Sequence, residues 1–364
     1  MTSAAISWAS MLEAERAAMA ALPADAFDFV AGGSGGERTL RANVGAFDRC
    51  AVVPRVLRDV SHPDLATVLF GTPASMPVAI APMAFQGAIH PGGEPALAAA
   101  ARDAGVPFTA ATLSGVPIEE IAATGADTWF QLYWLRDRGV TAELVARADA
   151  AGCGVLMLTV DVPAMGRRLR DVRSGFTLPA EVRPANLRAP DDAARTRRTG
   201  RSPLAEHAAV TIDPSLDWSA VEWLRARTSA RLVLKGVLDP RDARRAADLG
   251  VDGLVVSNHG GRQLDGAVAS LTALAAVREA VGDRCQLLLD GGVRDGGDVL
   301  KALALGASGV LLGRPALWGL AAGGRDGAAA VLALLRTELE NALALAGCPD
   351  LAAAGRLTAE VFPC

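Results

Sequence analysis

The sequence predicts an α/β protein built as a closed (β/α)8 barrel, and three observations lead there. Eight short β-like runs alternate with Ala-rich helical stretches, a pattern that calls for parallel pairing and right-handed crossovers. The runs are apolar without alternation, as Val-Leu-Met-Leu-Thr-Val at 155–160 illustrates, which is how strands covered on both faces read. In seven of the eight, the tail or the following turn carries polar candidates for chemistry. Barrel enzymes draw their sites from the C-terminal ends of many strands, whereas an open doubly wound sheet, the alternative, concentrates them at one switch point.

Taken in order, residues 1–70 precede the first strand and read as a helical cap with a glycine-rich lead-in at 27–36. Glu13, Glu15 and Arg16 interrupt the apolar pattern of the N-terminus, which a signal-peptide core would not tolerate. The barrel is expected over 71–350, with strands at 78–81, 108–111, 128–132, 155–160, 232–235, 253–257, 287–290 and 309–312. Between the fourth and fifth strands lies an excursion, 168–224, punctuated by proline and by Arg195, Arg197, Arg198 and Arg201. A connection of that length inside a compact domain is expected to be an active-site flap, partly disordered. The whole is expected to be a single domain.

Composition narrows the function. With 36 Lys+Arg against 40 Asp+Glu in 364 residues, the formal net charge is −4, and no basic stripe is available for nucleic acid. No uncharged apolar run reaches membrane-spanning length. Five cysteines, scattered singly, suggest neither a metal site nor a disulfide framework and fit a reducing cytoplasm. Gly32-Gly33-Ser34-Gly35-Gly36 follows no βαβ start, so it is given no dinucleotide role.

The most specific stretch is Ser257-Asn258-His259-Gly260-Gly261-Arg262-Gln263-Leu264-Asp265, directly after the sixth strand. A lone histidine is more often structural than catalytic. This one ends a barrel strand and has an arginine three residues on, so a titratable base and a fixed cation share one Gly-Gly turn. Asp290-Gly291-Gly292-Val293-Arg294 and Gly313-Arg314 follow the seventh and eighth strands. Small residues let a chain wrap an anion while backbone N–H groups and a helix N-terminus donate to it, so the two read as a phosphate site. The alternative is tight-turn glycines with surface arginines. Lys235 ends the fifth strand, where an inward cation would meet an electron-rich ring or a buried carboxylate. Asp161 offers a carboxylate to orient a histidine or to cap its own loop. Tyr133, the only tyrosine, lies just past the third strand, placed to polarise a substrate oxygen or to serve as an interface aromatic.

At these motifs the sequence resembles the FMN-dependent 2-hydroxy acid oxidase and dehydrogenase family, over about residues 22–348. Phe-Gln-Leu-Tyr, Gly-Arg-Arg, Ser-Asn-His-Gly-Gly-Arg-Gln-Leu-Asp and Asp-Gly-Gly-Val-Arg occur in that family's order. Within it, the stretches 29–33, 130–137 and 166–171 look most like the 4-hydroxymandelate oxidases. The resemblance implies oxidation of an (S)-2-hydroxy acid to the 2-oxo acid. His259 would take the hydroxyl proton while the α-hydrogen leaves toward flavin N5, and Asp161 would stabilise the resulting imidazolium. Arg168 and Arg262 would hold the substrate carboxylate, a bidentate task suited to guanidinium, and Tyr133 would contact the hydroxyl oxygen. Lys235 would sit near flavin N1 and the C2 carbonyl. Gln131 and Thr159 would bond the pyrimidine edge, Pro82, Met83 and Ala84 would line the ring, and Ser257 would join that shell. Asp290, Gly291, Gly292, Arg294, Gly313 and Arg314 would hold ribityl and phosphate. No metal is implied; oxygen or another acceptor, and a homotetramer, are.

Three departures from the family pattern bear on the substrate. Phe29 stands where many members carry a tyrosine that reaches the carboxylate. Ala111 replaces a frequent flavin-contacting serine, with Thr112 adjacent, and Leu113 and Ala164 replace bulky aromatics. A roomier, more apolar pocket is expected, favouring an aryl substituent over glycolate. Two other functions stay open: a flavin- or phosphate-binding barrel without catalysis, and another FMN barrel enzyme such as an isomerase.

Overall fold

The computed structural model describes residues 6–187 and 210–362. Helices α1 (Met11–Ala21), α2 (Ala24–Ala31) and α3 (Arg38–Asp48) form the expected cap. Three short strands follow: β1 (Cys50–Val52), β2 (Thr67–Leu69) and β3 (Thr72–Ala74). Then come β4 (Val78–Ile80), β5 (Phe108–Ala111), β6 (Thr128–Leu132) and β7 (Val155–Thr159). They are completed by β8 (Arg231–Val237), β9 (Gly253–Val256), β10 (Gln286–Asp290) and β11 (Gly309–Leu312). β4 to β11 close into a parallel barrel in sequential order, the architecture of a TIM barrel, and the open-sheet alternative is set aside. Each of the eight expected strands is present, with ends shifted by at most two residues.

The apolar runs earn their two-sided character. Ala79, Met157, Val233, Val255, Leu288 and Leu311 fill the barrel interior, while their neighbours Val78, Ile80, Leu156, Leu158, Leu234 and Leu254 pack outward against the helices. The antiparallel hairpin β2–β3 lies against the interior cluster, adding Leu69, Phe70 and Ala74 to it. Phe70 packs on Trp129 at 5.4 Å between ring centroids, and the Trp129 indole N–H donates to Thr72 Oγ1 at 3.0 Å. Because Trp129 and Gly253 sit at the starts of their strands, this hairpin closes the N-terminal end of the barrel and leaves chemistry to the other.

Two features were not expected. β1 pairs antiparallel with β12 (Ala359–Val361), tying the end of the cap to the end of the chain. The 168–224 excursion, expected as a partly disordered flap, carries helices at Leu169–Ser174 and Ser219–Arg225. Phe176 stacks on Phe29 of the cap at 4.6 Å, and Arg170 pairs with Asp28 and Glu37. These contacts explain why the first part of that excursion is docked structure. Arg195, Arg197, Arg198 and Arg201 lie outside the described residues.

Candidate active site

The C-terminal ends of the strands open into a cleft, the concave kind of site that takes a small molecule. One wall is small and apolar: Ala81, Pro82, Met83 and Ala84 follow β4, with Ala111 from β5. The floor is polar, with Gln131 and Thr159 from β6 and β7 and Lys235 and Asp290 from β8 and β10. Cations and a base face them: Arg168, His259, Arg262 and Arg314, with Gly313 at the end of β11. Phe29 and Tyr133 also line the space. Among the sequence candidates, Asp161, Ser257, Gly291, Gly292 and Arg294 lie behind these walls.

Each of those five touches the site through a neighbour or stands apart from it. The Asp161 carboxylate lies 3.0 Å from His259 Nδ1. An ionised carboxylate only accepts, so the contact puts the proton on Nδ1 and leaves Nε2 as the basic nitrogen. Asp161 Oδ2 is buried with no partner among the described residues. Ser257 donates to Asp290 Oδ2 at 2.6 Å and accepts from Lys235 Nζ at 3.0 Å. Gly291 and Gly292 form a left-handed turn, at φ 102° and 94°, packed on α3. Arg294 is half-buried with its guanidinium 5.1 Å from the Trp318 ring, and desolvation pushes its pKa down.

Lys235 combines the two readings that the sequence left open: it lines the cleft and pairs with buried Asp290 at 2.6 Å. Burial raises the Asp290 pKa, but the Lys235 charge and the bonds from Lys235 and Ser257 outweigh it and hold the carboxyl below its usual range. A register shift between Lys235 and Val237 in the β8–β9 pairing marks a bulge here, the device by which strands re-aim a side chain near active sites. Gln131 Nε2 donates to Thr159 Oγ1 at 3.0 Å, which fixes the amide's orientation. Thr112 does not stand in for the frequent serine at Ala111, because its hydroxyl donates to Gln131 O and accepts from Tyr133 N.

The cations are held by the cap. A helix C-terminus leaves its last carbonyls unmet, and α2 carries no basic residue in its last turn. Arg262 Nη1 donates to Phe29 O at 2.9 Å and Gly32 O at 2.8 Å. Arg314 donates to Val30 O, Gly32 O and Gly260 O. Arg168 lies only 3.9 Å from Asp171, and its buried Nε has no partner among the described residues. Burial, then repulsion from Arg168 and Arg314, drives the Arg262 pKa well below its usual value. Burial, then Arg294, brings Arg314 down to about 9. Three guanidiniums thus crowd one water-poor space with too few carboxylates, an environment that an anion relieves. Burial, then Asp161, raises the Tyr133 phenol to about 12, so it remains a neutral donor.

Sequence reasoning missed Met165 and Ile212, which line the cleft with Leu113 and cluster around Tyr133. Both are apolar residues with no pattern to separate them from core. Ala164 does not line the cleft; its carbonyl accepts from Gln263 Nε2 at 2.8 Å.

A family model for FMN-dependent dehydrogenases matches residues 18–360. The chain is 52% identical to a 4-hydroxymandelate oxidase of Amycolatopsis orientalis over 98% of its length and 99% of that protein's. It is 46% identical to an L-lactate oxidase of a Nostoc species, covering 94% and 95% of the two chains. A solved mandelate oxidase holding (S)-4-hydroxymandelic acid superposes with a TM-score of 0.94 at 52% identity, over 97% of this chain and 99% of that one. With the match spanning the cap, the barrel and the cleft between them, the chain belongs to the FMN-dependent dehydrogenase family.

Proposed function

We propose that this enzyme oxidises an aryl (S)-2-hydroxy acid, such as mandelate or 4-hydroxymandelate, to the 2-oxo acid, with oxygen as the final electron acceptor. The observation that carries the reading is the cluster of guanidiniums, Arg168 buried and Arg262 and Arg314 half-buried, beside a histidine whose Nδ1 faces Asp161.

The cleft fits FMN. A flat wall of Ala81, Pro82, Ala84 and Ala111 suits a ring, while Gln131, Thr159, Lys235 and Ser257 offer polar groups for its pyrimidine edge. Gly313 is open: a Cβ there would meet nothing nearer than Ala81 Cβ at 3.8 Å. It precedes the helix Arg314–Leu345, whose N-terminus favours a phosphate. Arg314, Arg294 and the 290–292 turn would complete that end. Bound there, FMN supplies the two-electron acceptor for the α-hydrogen.

The chain's own residues do the rest. Arg168 and Arg262 hold the carboxylate, since Arg262 Nε and Nη2 have no protein acceptor among the described residues. The Tyr133 phenol donates to the substrate's oxygens. His259 Nε2 takes the hydroxyl proton, and Asp161, with one carboxylate oxygen unpartnered, stabilises the imidazolium as it forms. Lys235, paired with Asp290 on the floor, would hold the pyrimidine edge of the ring. Phe29, Leu113, Met165 and Ile212 give an apolar side, where an aryl group gains about 25 cal/mol per Å² buried.

The test is turnover of (S)- and (R)-2-hydroxy acids with peroxide and oxo acid both quantified. Equimolar peroxide and oxo acid, with kcat/KM for (S)-mandelate at least about tenfold above lactate and glycolate, is expected; tenfold needs only about 1.4 kcal/mol. Equal preference for glycolate rejects the aryl substrate, and turnover only with an added dye rejects oxygen. The reading includes a homotetramer in the cytoplasm, supported by exposed Val56, Leu57 and Leu345 and by buried free cysteines, and checked by light scattering and fractionation.

A further inference from the structure

His259 has φ 60°, a left-handed backbone that a side-chain-bearing residue rarely adopts. Such a conformation persists only where its surroundings over-determine it. Two bonds hold the turn locally: His259 N donates to Ser257 Oγ at 2.9 Å, and Gly261 N donates to Asn258 Oδ1 at 3.0 Å. The second depends on how the Asn258 amide is set, and that is fixed from the cap. Asn43 Nδ2 donates to Asn258 Oδ1 and Asn258 Nδ2 donates to Asn43 Oδ1, each at 2.7 Å. Asn258 Nδ2 also donates to Val268 O at 3.0 Å, and Asn43 Oδ1 also accepts from Ser270 N at 3.2 Å.

We propose that Asn43 is a positioning residue for His259, acting through this reciprocal amide pair with Asn258. The proposal rests on the reading of His259 as the base. Both amides are buried, at 1% and 5% exposure, so loss of Asn43 strips one of two partners from each end of the Asn258 amide, leaving Oδ1 with Gly261 N and Nδ2 with Val268 O. One Nδ2 hydrogen then lacks an acceptor in a dry interior, so the amide is held by two bonds in place of four and its grip on Gly261 N loosens. Asparagine is also a poor choice for the interior of a helix unless its side chain is needed elsewhere. The contact has no slack: a Cβ on Gly261 would lie 2.5 Å from Leu40 N, and one on Gly292 would lie 2.4 Å from Asn43 O. Helix α3 therefore meets the histidine turn and the 290–294 turn backbone to backbone, and Asn43 stands at both.

The experiment uses FMN-loaded holoenzyme of N43A and N43D, with N43S in reserve should N43A not fold. The readouts are kcat, KM, the flavin absorbance spectrum and the pH profile. Misplacing a base by a fraction of an ångström is expected to lower kcat and kcat/KM together, by about tenfold to a hundredfold, with the flavin spectrum unchanged. In N43D, an introduced carboxylate oxygen would face Asn258 Oδ1. Protonating it restores the donor, so activity relative to the parent at each pH should rise as pH falls. Folded, FMN-loaded variants that lose thermal stability but turn over like the parent overturn the proposal. H259Q separates it from the reading beneath: an inactive H259Q with parent-like N43 variants removes only the positioning role, whereas an active H259Q removes the base and the proposal with it.

Discussion

At the residue scale, the cleft is a problem in uncompensated charge. Arg168 is buried and Arg262 half-buried, and both have pKa values pushed down by desolvation before any other cause. An ammonium is a point charge and cannot reproduce a planar two-donor grip on carboxylate. Arg168→Lys and Arg262→Lys are each expected to lower kcat/KM, by about tenfold to a hundredfold for a charged bond worth about 1.5–3 kcal/mol. Parent-like kinetics in both would show that the carboxylate is held elsewhere. Tyr133 makes a different prediction. With its phenol at about 12, it is protonated throughout the working range, so it contributes rate but no titration. Tyr133→Phe should turn over more slowly while keeping the parent's profile across about pH 6 to 10; loss of a limb from that profile would show the phenol titrating.

At the element scale, most of the fold was legible because a barrel strand advertises itself. Strands buried on both faces seldom carry charged residues before their ends, so Lys235, His259, Asp290 and Arg314 stood out where apolar runs stopped. The hairpin β2–β3 did not, since three-residue strands such as Thr-Pro-Ala are too short to show a period. Met165 and Ile212 were invisible for the converse reason: an apolar residue beside a cleft has the same chemistry as one in the core. The turn after β10 shows what an element end does to a carboxyl. Asp298, in the first turn of the helix Gly296–Ala304, accepts from Arg294 N at 2.8 Å. Burial, then the nearby Asp295, raises its pKa from 3.8 to about 7. A carboxyl raised in the folded state binds more protons than in the unfolded chain, so stability falls as pH rises between these values and stays lower above them. Asp298→Asn keeps the acceptor and removes the titration. The variant's melting temperature relative to the parent should climb from pH 4 to 7, and identical pH dependence in the two proteins would refute the assignment.

At the scale of the whole molecule, cap and barrel meet across the cleft, and charge makes that junction incomplete without an anion. Arg262 and Arg314 bond the carbonyls at the end of α2, so the cations that bridge the two parts are those most destabilised by burial and by one another. A ligand that brings negative charge to Arg314 should therefore stabilise the entire fold rather than one loop. By mass action, a ligand at a hundred times its dissociation constant adds about 2.7 kcal/mol. Spread over the unfolding entropy of 364 residues, that is a rise of about 3–4 °C in melting temperature. FMN added to the apoprotein should give a rise of at least this size. Riboflavin, which has the same ring and no phosphate, should give distinctly less at equal concentration, and inorganic phosphate alone a small positive shift that Arg314→Leu abolishes. If riboflavin protects as well as FMN, the ring carries the stabilisation, and the arginines at the junction balance their charge by other means.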